Sequence, residues 1–269
     1  MKNIFNNNNY LIELLTPKQN VDDFDAALDK FSERYQKILD AGGVVSIPDN
    51  PMGNLHFTPM EVISFLDLPI KPESLIVHLN SFHRKVDLDD FLDTAKETGV
   101  QHILCISGDG GPRLPKLEPE DLGLPGKTVT SVELLTYINR EYPNTFTLGA
   151  AFNQYEPLEH ELEKLQRKLD AGAEFIITQP VVGSDENLDI LKEYDIPVYL
   201  GAWMSKKIEL LSDCVGKELG LTRESYDPAG NMKTLQHVYP QWGLYLSLIP
   251  FSKDWSFIDP HLATETNVA

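Results

Sequence analysis

Eight short runs of apolar residues recur along the chain, and segments with helical spacing separate them. Most of the runs lack a strict alternation of apolar and polar positions, which is typical of strands in a parallel sheet that is covered on both faces. We therefore predict eight strands: Tyr10–Leu15, Val44–Ile47, Leu75–Leu79, His102–Ile106, Thr145–Phe152, Phe175–Gln179, Pro197–Trp203 and Leu244–Phe251.

The segments between these runs predict helices. In the first, apolar residues from Phe24 to Ile38 fall three and four positions apart, and Gly42 and Gly43 follow as a stop. A stripe of leucines from Leu158 to Leu169 predicts a second clear helix that ends at Gly172. Weaker patterns predict helices at about 59–67, 88–98, 128–140, 184–194, 205–218 and 228–238.

This alternation of strands and helices over roughly 250 residues predicts a (β/α)8 TIM barrel. A doubly wound open sheet is the rival, but it usually carries a glycine-rich turn after its first strand. Here the first strand is followed by Thr16-Pro17-Lys18, which contains no glycine, and this favours the barrel. We predict one barrel domain over residues 10–262, with a flexible lead-in at 1–9 and a flexible tail at 263–269.

Composition narrows the function classes. The chain has 269 residues, with 41 acidic against 23 basic residues and a formal net charge of −18, which argues against nucleic-acid binding. Its two cysteines form no disulfide framework or metal-ligand spacing, and no apolar run approaches the length of a membrane helix. The first residues lack the apolar core of a signal peptide. We expect a soluble, cytoplasmic protein without a metal.

Catalytic residues of such barrels lie at the C-terminal ends of the strands, so polar residues there are the candidates. Glu13 has two apolar residues on each side, and burial would raise its pKa towards that of a general acid. A structural ion pair with Lys or Arg is an equal alternative. Asp109 lies in a Gly-Asp-Gly-Gly turn that opens a loop reaching about Lys127, and the alternative is a residue that only shapes the turn.

Other polar residues are less specific. His78 and Gln179 could hydrogen-bond a ligand or fill the barrel interior, and Arg167 and Lys168 could attract a phosphate or lie on a solvated helix face. Trp203 and Phe152 could stack on a ring, although aromatic residues in strands are usually core. The sequence contains no P-loop, no Gly-x-Ser-x-Gly and no Gly-x-Gly-x-x-Gly.

Four stretches resemble the methylenetetrahydrofolate reductases, flavin-dependent (β/α)8 barrels. The resemblance runs over about residues 10–203. The most specific element is a Lys-x-Asp-Ala-Gly-Ala helix end followed by an Ile-Thr-Gln strand end. The stretches are Ile12–Lys18, His78–Asn80, His102–Asp109 and Leu165–Gln179.

The resemblance implies a reaction and a set of roles. Hydride from a reduced flavin, FAD in this family, would reach the methylene carbon of a methylene-tetrahydropterin and give the 5-methyl form. Glu13 corresponds to the catalytic acid, Asp109 to a carboxylate near flavin and pterin, and Gln179 to a pterin-contacting amide. Residues that would line the flavin site are His78, Ser107, Gly108, Asp109, Glu161, Lys164, Arg167 and Lys168.

The chain also departs from the family pattern, mostly on the cofactor side. Ser107 replaces the usual Arg, Pro48 replaces a Thr, Thr130 stands for an aromatic residue, and residues 152–156 replace a Tyr-Pro-Glu-x-His segment. Loss of an Arg and a His weakens anion recognition. FAD could bind through other groups, FMN could replace it, or hydride could come from a soluble nicotinamide or deazaflavin without bound flavin.

Further expectations stay open at this point. The pterin is tetrahydrofolate or tetrahydromethanopterin, and homo-oligomerisation is possible. A non-catalytic pterin-binding subunit that receives electrons from a partner protein is the alternative from a different class. Residues 204–243 are short for the family, which predicts trimmed C-terminal barrel units. Lys164, Arg167 and Lys168 form the only obvious cluster of cations in the sequence.

Overall fold

The computed structural model describes residues 10–255. Its eight strands form one closed barrel in which each strand pairs in parallel with its sequence neighbours and β1 pairs with β8. The barrel prediction is thus confirmed, and the open sheet is ruled out. The strands are β1 (Tyr10–Glu13), β2 (Val44–Ile47), β3 (Leu75–Leu79), β4 (His102–Cys105), β5 (Thr147–Phe152), β6 (Phe175–Pro180), β7 (Val198–Trp203) and β8 (Gly243–Ser247).

Seven α-helices pack around the barrel at the predicted places. One feature differs from the prediction: the segment after β6 is a 3₁₀ helix, Glu186–Glu193. The last two helices both lie between β7 and β8, as their predicted positions imply. The helices are α1 (Phe24–Asp40), α2 (Pro59–Phe65), α3 (Lys85–Thr98), α4 (Ser131–Glu141), α5 (Leu158–Asp170), α6 (Ile208–Val215) and α7 (Pro228–Val238).

The interior of the barrel is filled by side chains and is not a pore. Glycines on neighbouring strands make room for two large rings, since a Cβ on Gly149 would clash with the ring of Phe175 and a Cβ on Gly243 with that of Tyr199. Because side chains two positions apart point to the same face of a strand, this layer defines which later residues also face inward. The layer consists of Leu11, Val44, Ile76, Leu104, Phe175, Ile177, Tyr199 and Tyr245.

A second, larger core lies between the barrel and its helices. The long loop after β4 joins it, because Leu117 is fully buried and the 3₁₀ helix Pro119–Leu122 gives the loop local structure. Within residues 10–255, no helix is long and apolar enough to cross a membrane. The predicted lead-in at 1–9 and tail at 263–269 lie outside the described residues.

Candidate active site

Glu13 lies at the end of β1, two residues after the inward-facing Leu11. The hydroxyl of Tyr245 donates to its Oε2 at 2.8 Å, and the backbone N–H of Leu248 donates to its Oε1 at 3.3 Å. Burial raises the pKa of Glu13, while the two donors act in the lowering direction. Among residues 10–255 it forms no ion pair with a Lys or an Arg. A half-buried carboxyl with a raised pKa can serve as a general acid.

A layer of polar side chains lies two residues closer to the C-terminal ends of the strands than the apolar layer that fills the barrel. Ser46 and His78 follow the inward-facing residues of β2 and β3 by two positions, and the Ser46 hydroxyl lies 2.8 Å from His78 Nε2. Burial lowers the pKa of His78 to about 4, so its ring is neutral at pH 7. A hydrogen bond between Ser46 and Tyr245 continues this layer to Glu13. His78 thus lies inside the barrel as a bonded interior residue.

A loop from β2 crosses the barrel mouth. Met52 adopts a left-handed conformation, with φ of 55°, and its sulfur lies 3.9 Å from Cys214 Sγ on α6. Gly53 packs against the loop after β4 so closely that a Cβ there would lie 2.5 Å from the Gly110 carbonyl oxygen. Burial, followed by the charges of Glu13 and Asp109, raises the pKa of Cys214 to about 11. The contact joins the loop after β2 to α6 near the two carboxylates.

A buried pair holds the base of this loop. Asp49, at the end of β2, accepts from His83 Nε2 at 2.6 Å, from the backbone N–H of Asn80 at 3.0 Å and from Asn50 Nδ2 at 2.9 Å. Burial acts to lower the pKa of His83, but the charge and hydrogen bond of Asp49, with smaller contributions from other carboxylates, raise it overall. The ends of β2 and β3 are thereby locked together beside the mouth.

A pocket of about 380 Å³ opens between the ends of β4, β5 and β6 and the side of α5. It brings together most of the predicted cofactor and substrate residues; Glu13 and His78 are outside it. Asp109 in it is exposed, and its side chain forms no hydrogen bond within residues 10–255. The predicted residues that line it are Ser107, Gly108, Asp109, Glu161, Lys164, Arg167, Lys168 and Gln179.

The charges of this pocket are already compensated from within. Lys168 is buried and donates to Glu161 at 3.1 Å and to the Ala151 carbonyl at 2.7 Å. Lys164 contacts Glu156 and lies 3.6 Å from Glu161. Only Arg167, of the cations lining the pocket, forms no ion pair within the part of the chain that the structure describes. With Asp109, the lining carries three carboxylates and three cations.

The residues that depart from the family pattern serve local structure. Ser107 accepts a hydrogen bond from the Ser131 N–H at the start of α4 at 3.2 Å, and Thr130 is the N-cap of that helix. Gln154 is buried and donates to the carbonyls of Gln179 and Pro180. These side chains support backbone around the pocket in place of binding an anion.

The diphosphate of FAD, the cofactor that the resemblance implies, does not fit the pocket as it is arranged. A diphosphate is recognised by unpaired cations or helix N-termini. Here Lys164 and Lys168 are neutralised by Glu156 and Glu161, which leaves Arg167 as the one cation of the lining without an ion pair within residues 10–255. The first N–H groups of α4 have partners in Ser107 and Thr130. Binding of the diphosphate would require the Glu156–Lys164 pair to open.

A second pocket, of about 770 Å³, has Glu13 in its wall and carries a cluster of cations that the sequence did not reveal. Lys30, Arg34 and Lys37 come from one face of α1, and Lys207 precedes α6. The lining contains only two carboxylates, those of Glu13 and Glu33. This pocket therefore carries a net positive charge, although the whole chain is strongly acidic. The expectation that residues 164–168 hold the only cation cluster is therefore wrong.

The aromatic candidates are core residues. Phe152 is fully buried between the barrel and its helices, and Trp203 packs with Ile208, Leu211 and Tyr226 beneath α6. The residues that sequence reasoning missed are Tyr245 and Ser46, which contact Glu13 and His78, and Met52, which contacts Cys214.

Comparison with known proteins shows relatives in one family. A protein of Caenorhabditis elegans named probable methylenetetrahydrofolate reductase (NADPH) is 32% identical over 160 residues, which cover 55% of this chain and 23% of the relative. Methylenetetrahydrofolate reductase 2 of Saccharomyces cerevisiae is 28% identical over 138 residues, which cover 46% and 22%. The chain thus spans about a quarter or less of the length of these relatives.

Solved structures share the fold at low identity. A Clostridium thermocellum protein that binds two copies of 5-methyl-5,6,7,8-tetrahydrofolic acid aligns with a TM-score of 0.60 at 13% identity, over 97% of this chain and 96% of that one. The 7,8-dihydropteroate synthase of Vibrio fischeri aligns with a TM-score of 0.52 at 12% identity, over 98% and 95%. At such identity the likeness concerns the barrel alone.

The family profile described as methylenetetrahydrofolate reductase matches residues 6–193, which is well over half of the chain and includes six of the eight strands. The match contains Glu13, the polar layer on β2 and β3, and the whole pocket at Asp109 and Gln179. The chain belongs to the methylenetetrahydrofolate reductase family.

Proposed function

We propose that this protein reduces a methylene-tetrahydropterin to its 5-methyl form, with Glu13 as the proton donor. The observation that carries the proposal is the half-buried Glu13 carboxyl at the barrel mouth, whose pKa is raised by desolvation and which forms no ion pair within residues 10–255. In a member of this family such a group suits protonation of the nitrogen that leaves the methylene carbon. The carbon then accepts hydride, so that one hydride and one proton enter the product.

The substrate would lie across the mouth, beneath the contact between Met52 and Cys214. Asp109 and Gln179 would hold the pterin ring from the pocket that they line, because an amide and a carboxylate match the donors and acceptors of a heterocycle edge. The cation-rich pocket beside Glu13 suits the carboxylates of a folate tail. We therefore propose a carrier with an anionic tail, tetrahydrofolate or, as the alternative, tetrahydromethanopterin.

The hydride donor is the second part of the proposal. Family membership favours a flavin, and FAD is the form that the resemblance implies, but the charge balance of the pocket at Lys164 opposes a tightly held diphosphate. We propose that the donor is exchangeable, either a weakly held flavin or a dihydronicotinamide or deazaflavin that acts as a co-substrate. A subunit that only binds the pterin remains the competing function.

The test is a product assay with each donor class supplied separately. The purified protein is mixed with methylene-tetrahydrofolate and with reduced flavin, NADH, NADPH or a reduced deazaflavin, and 5-methyl-tetrahydrofolate is measured by mass. We expect product with at least one donor, and none when the protein is left out. Binding of 5-methyl-tetrahydrofolate without product from any donor would favour the pterin-binding subunit instead.

A further inference from the structure

The segment after β5 places a carboxylate of this chain on Lys164, a partly exposed cation of the pocket at Asp109. Glu156 contacts Lys164 Nζ, and its Oε2 also lies 3.2 Å from Nδ1 of His160 one turn along. The hydrogen bond from Lys164, together with the charge of Lys164 and the contact with His160, lowers the pKa of Glu156. Glu156 therefore remains ionised at neutral pH. Two basic side chains thus converge on a single anion that the protein itself supplies.

The neighbouring ion pair of Glu161 and Lys168 cannot open to bind an anion. Glu161 is buried, accepts from the Asn153 N–H at 3.0 Å and holds Lys168. Removal of either partner would leave a buried charge uncompensated, which is strongly unfavourable. The Glu156–Lys164 pair is different, because both side chains are about one-third exposed and can separate.

We infer that Glu156 occupies the phosphate-binding position of this pocket and is the residue that makes the natural protein bind phosphate-bearing cofactors weakly. The inference deepens the proposed reductase function and rests on it for the choice of ligand. A ligand phosphate would meet Lys164 and His160 only after displacing Glu156, and the exposed Arg167 lines the same pocket. Removing this one negative charge should convert the position into an anion site.

The experiment measures binding of ADP and FAD by isothermal titration to the natural protein and to Glu156→Gln. ADP carries the diphosphate without the flavin ring, and riboflavin carries the ring without phosphate. We expect ADP and FAD to bind at least about tenfold more tightly to Glu156→Gln, because one unit charge at contact distance is removed. Riboflavin binding should be the same in both proteins.

Two further variants make the result specific. Glu159→Gln removes the same charge from an exposed position in the first turn of α5, outside the pocket, and should leave ADP affinity unchanged. Lys164→Met added to Glu156→Gln should abolish the gain.

Three results would overturn the inference: equal ADP affinity in the natural protein and Glu156→Gln, an equal gain in Glu159→Gln, or a gain that survives loss of Lys164. Absence of reductase activity would remove the proposed function and leave the ADP result standing.

Discussion

Tyr245→Phe removes one hydroxyl from the polar layer and tests how the chain sets the proton affinity of Glu13. The lost contact is a 2.8 Å hydrogen bond to a carboxylate. Bonds to charged groups are worth about 1.5–3 kcal/mol, and one pKa unit corresponds to about 1.4 kcal/mol. Because the donor favours the ionised form, its removal should raise the pKa of Glu13 further, by roughly one to two units.

The assay is the pH dependence of 5-methyl product formation. If Glu13 must be protonated to act, activity falls as the pH rises through its pKa. In Tyr245→Phe the alkaline limb should therefore move to higher pH by roughly one to two units. Tyr35→Phe is the matched control, because it removes a buried hydroxyl that donates at 2.9 Å to a backbone carbonyl away from the mouth. An alkaline limb that stays in place, or moves to lower pH, would refute the reasoning.

The same change affects stability with a defined sign. Glu13 has a folded-state pKa above its unfolded value, so its contribution is most favourable at low pH and is lost as the pH rises through the folded pKa. Tyr245 partly offsets that loss by supporting the ionised form. The stability difference between the natural protein and Tyr245→Phe should therefore be larger at pH 8 than at pH 4 in urea titrations. A difference independent of pH would contradict this.

Two other changes probe the frame around the site. Asp49→Asn should destabilise the fold by about 3–5 kcal/mol in urea unfolding at pH 6, because it leaves protonated His83 buried without its partner. The raised pKa of His83 contributes stability that is complete below pH 6.5 and is lost as the pH rises through the pKa of the folded state. The loss of stability in Asp49→Asn should therefore be smaller at pH 9 than at pH 6. An equal loss at both pH values would argue against the ion pair. Gly149→Ala should cost about 1–3 kcal/mol by clashing with Phe175, and Phe175→Leu should recover part of that loss in a double-mutant cycle; simple additivity would refute the clash.

The barrel was predictable because its strands carry near-continuous apolar runs and its helices keep a period of 3.6 residues. The segment after β6 shows the limit of that reading. Its buried residues, Leu188 and Leu191, are three positions apart, which suits the threefold turn of a 3₁₀ helix as well as an α-helix.

The sequence predicted individual residues of the candidate site but not the contacts between them. Two apolar neighbours on each side of Glu13 sufficed to predict a raised pKa, and its half-buried carboxyl at the barrel mouth agrees with that prediction. Its partner Tyr245 is 232 positions away, and no local pattern connects the two. The cations on α1 were hidden for the same reason, because they gather beside Glu13 only when the barrel closes.

The most direct test of the central claim, that Glu13 donates the proton for reduction, is a single-turnover experiment on Glu13→Gln. The amide keeps the size of the side chain and can still accept from Tyr245, but it has no acidic proton to give. With the donor identified by the product assay, formation of 5-methyl-tetrahydrofolate should slow by roughly 10²–10⁴-fold. The dissociation constant for the product should change by only a few-fold. An unchanged single-turnover rate would contradict the account.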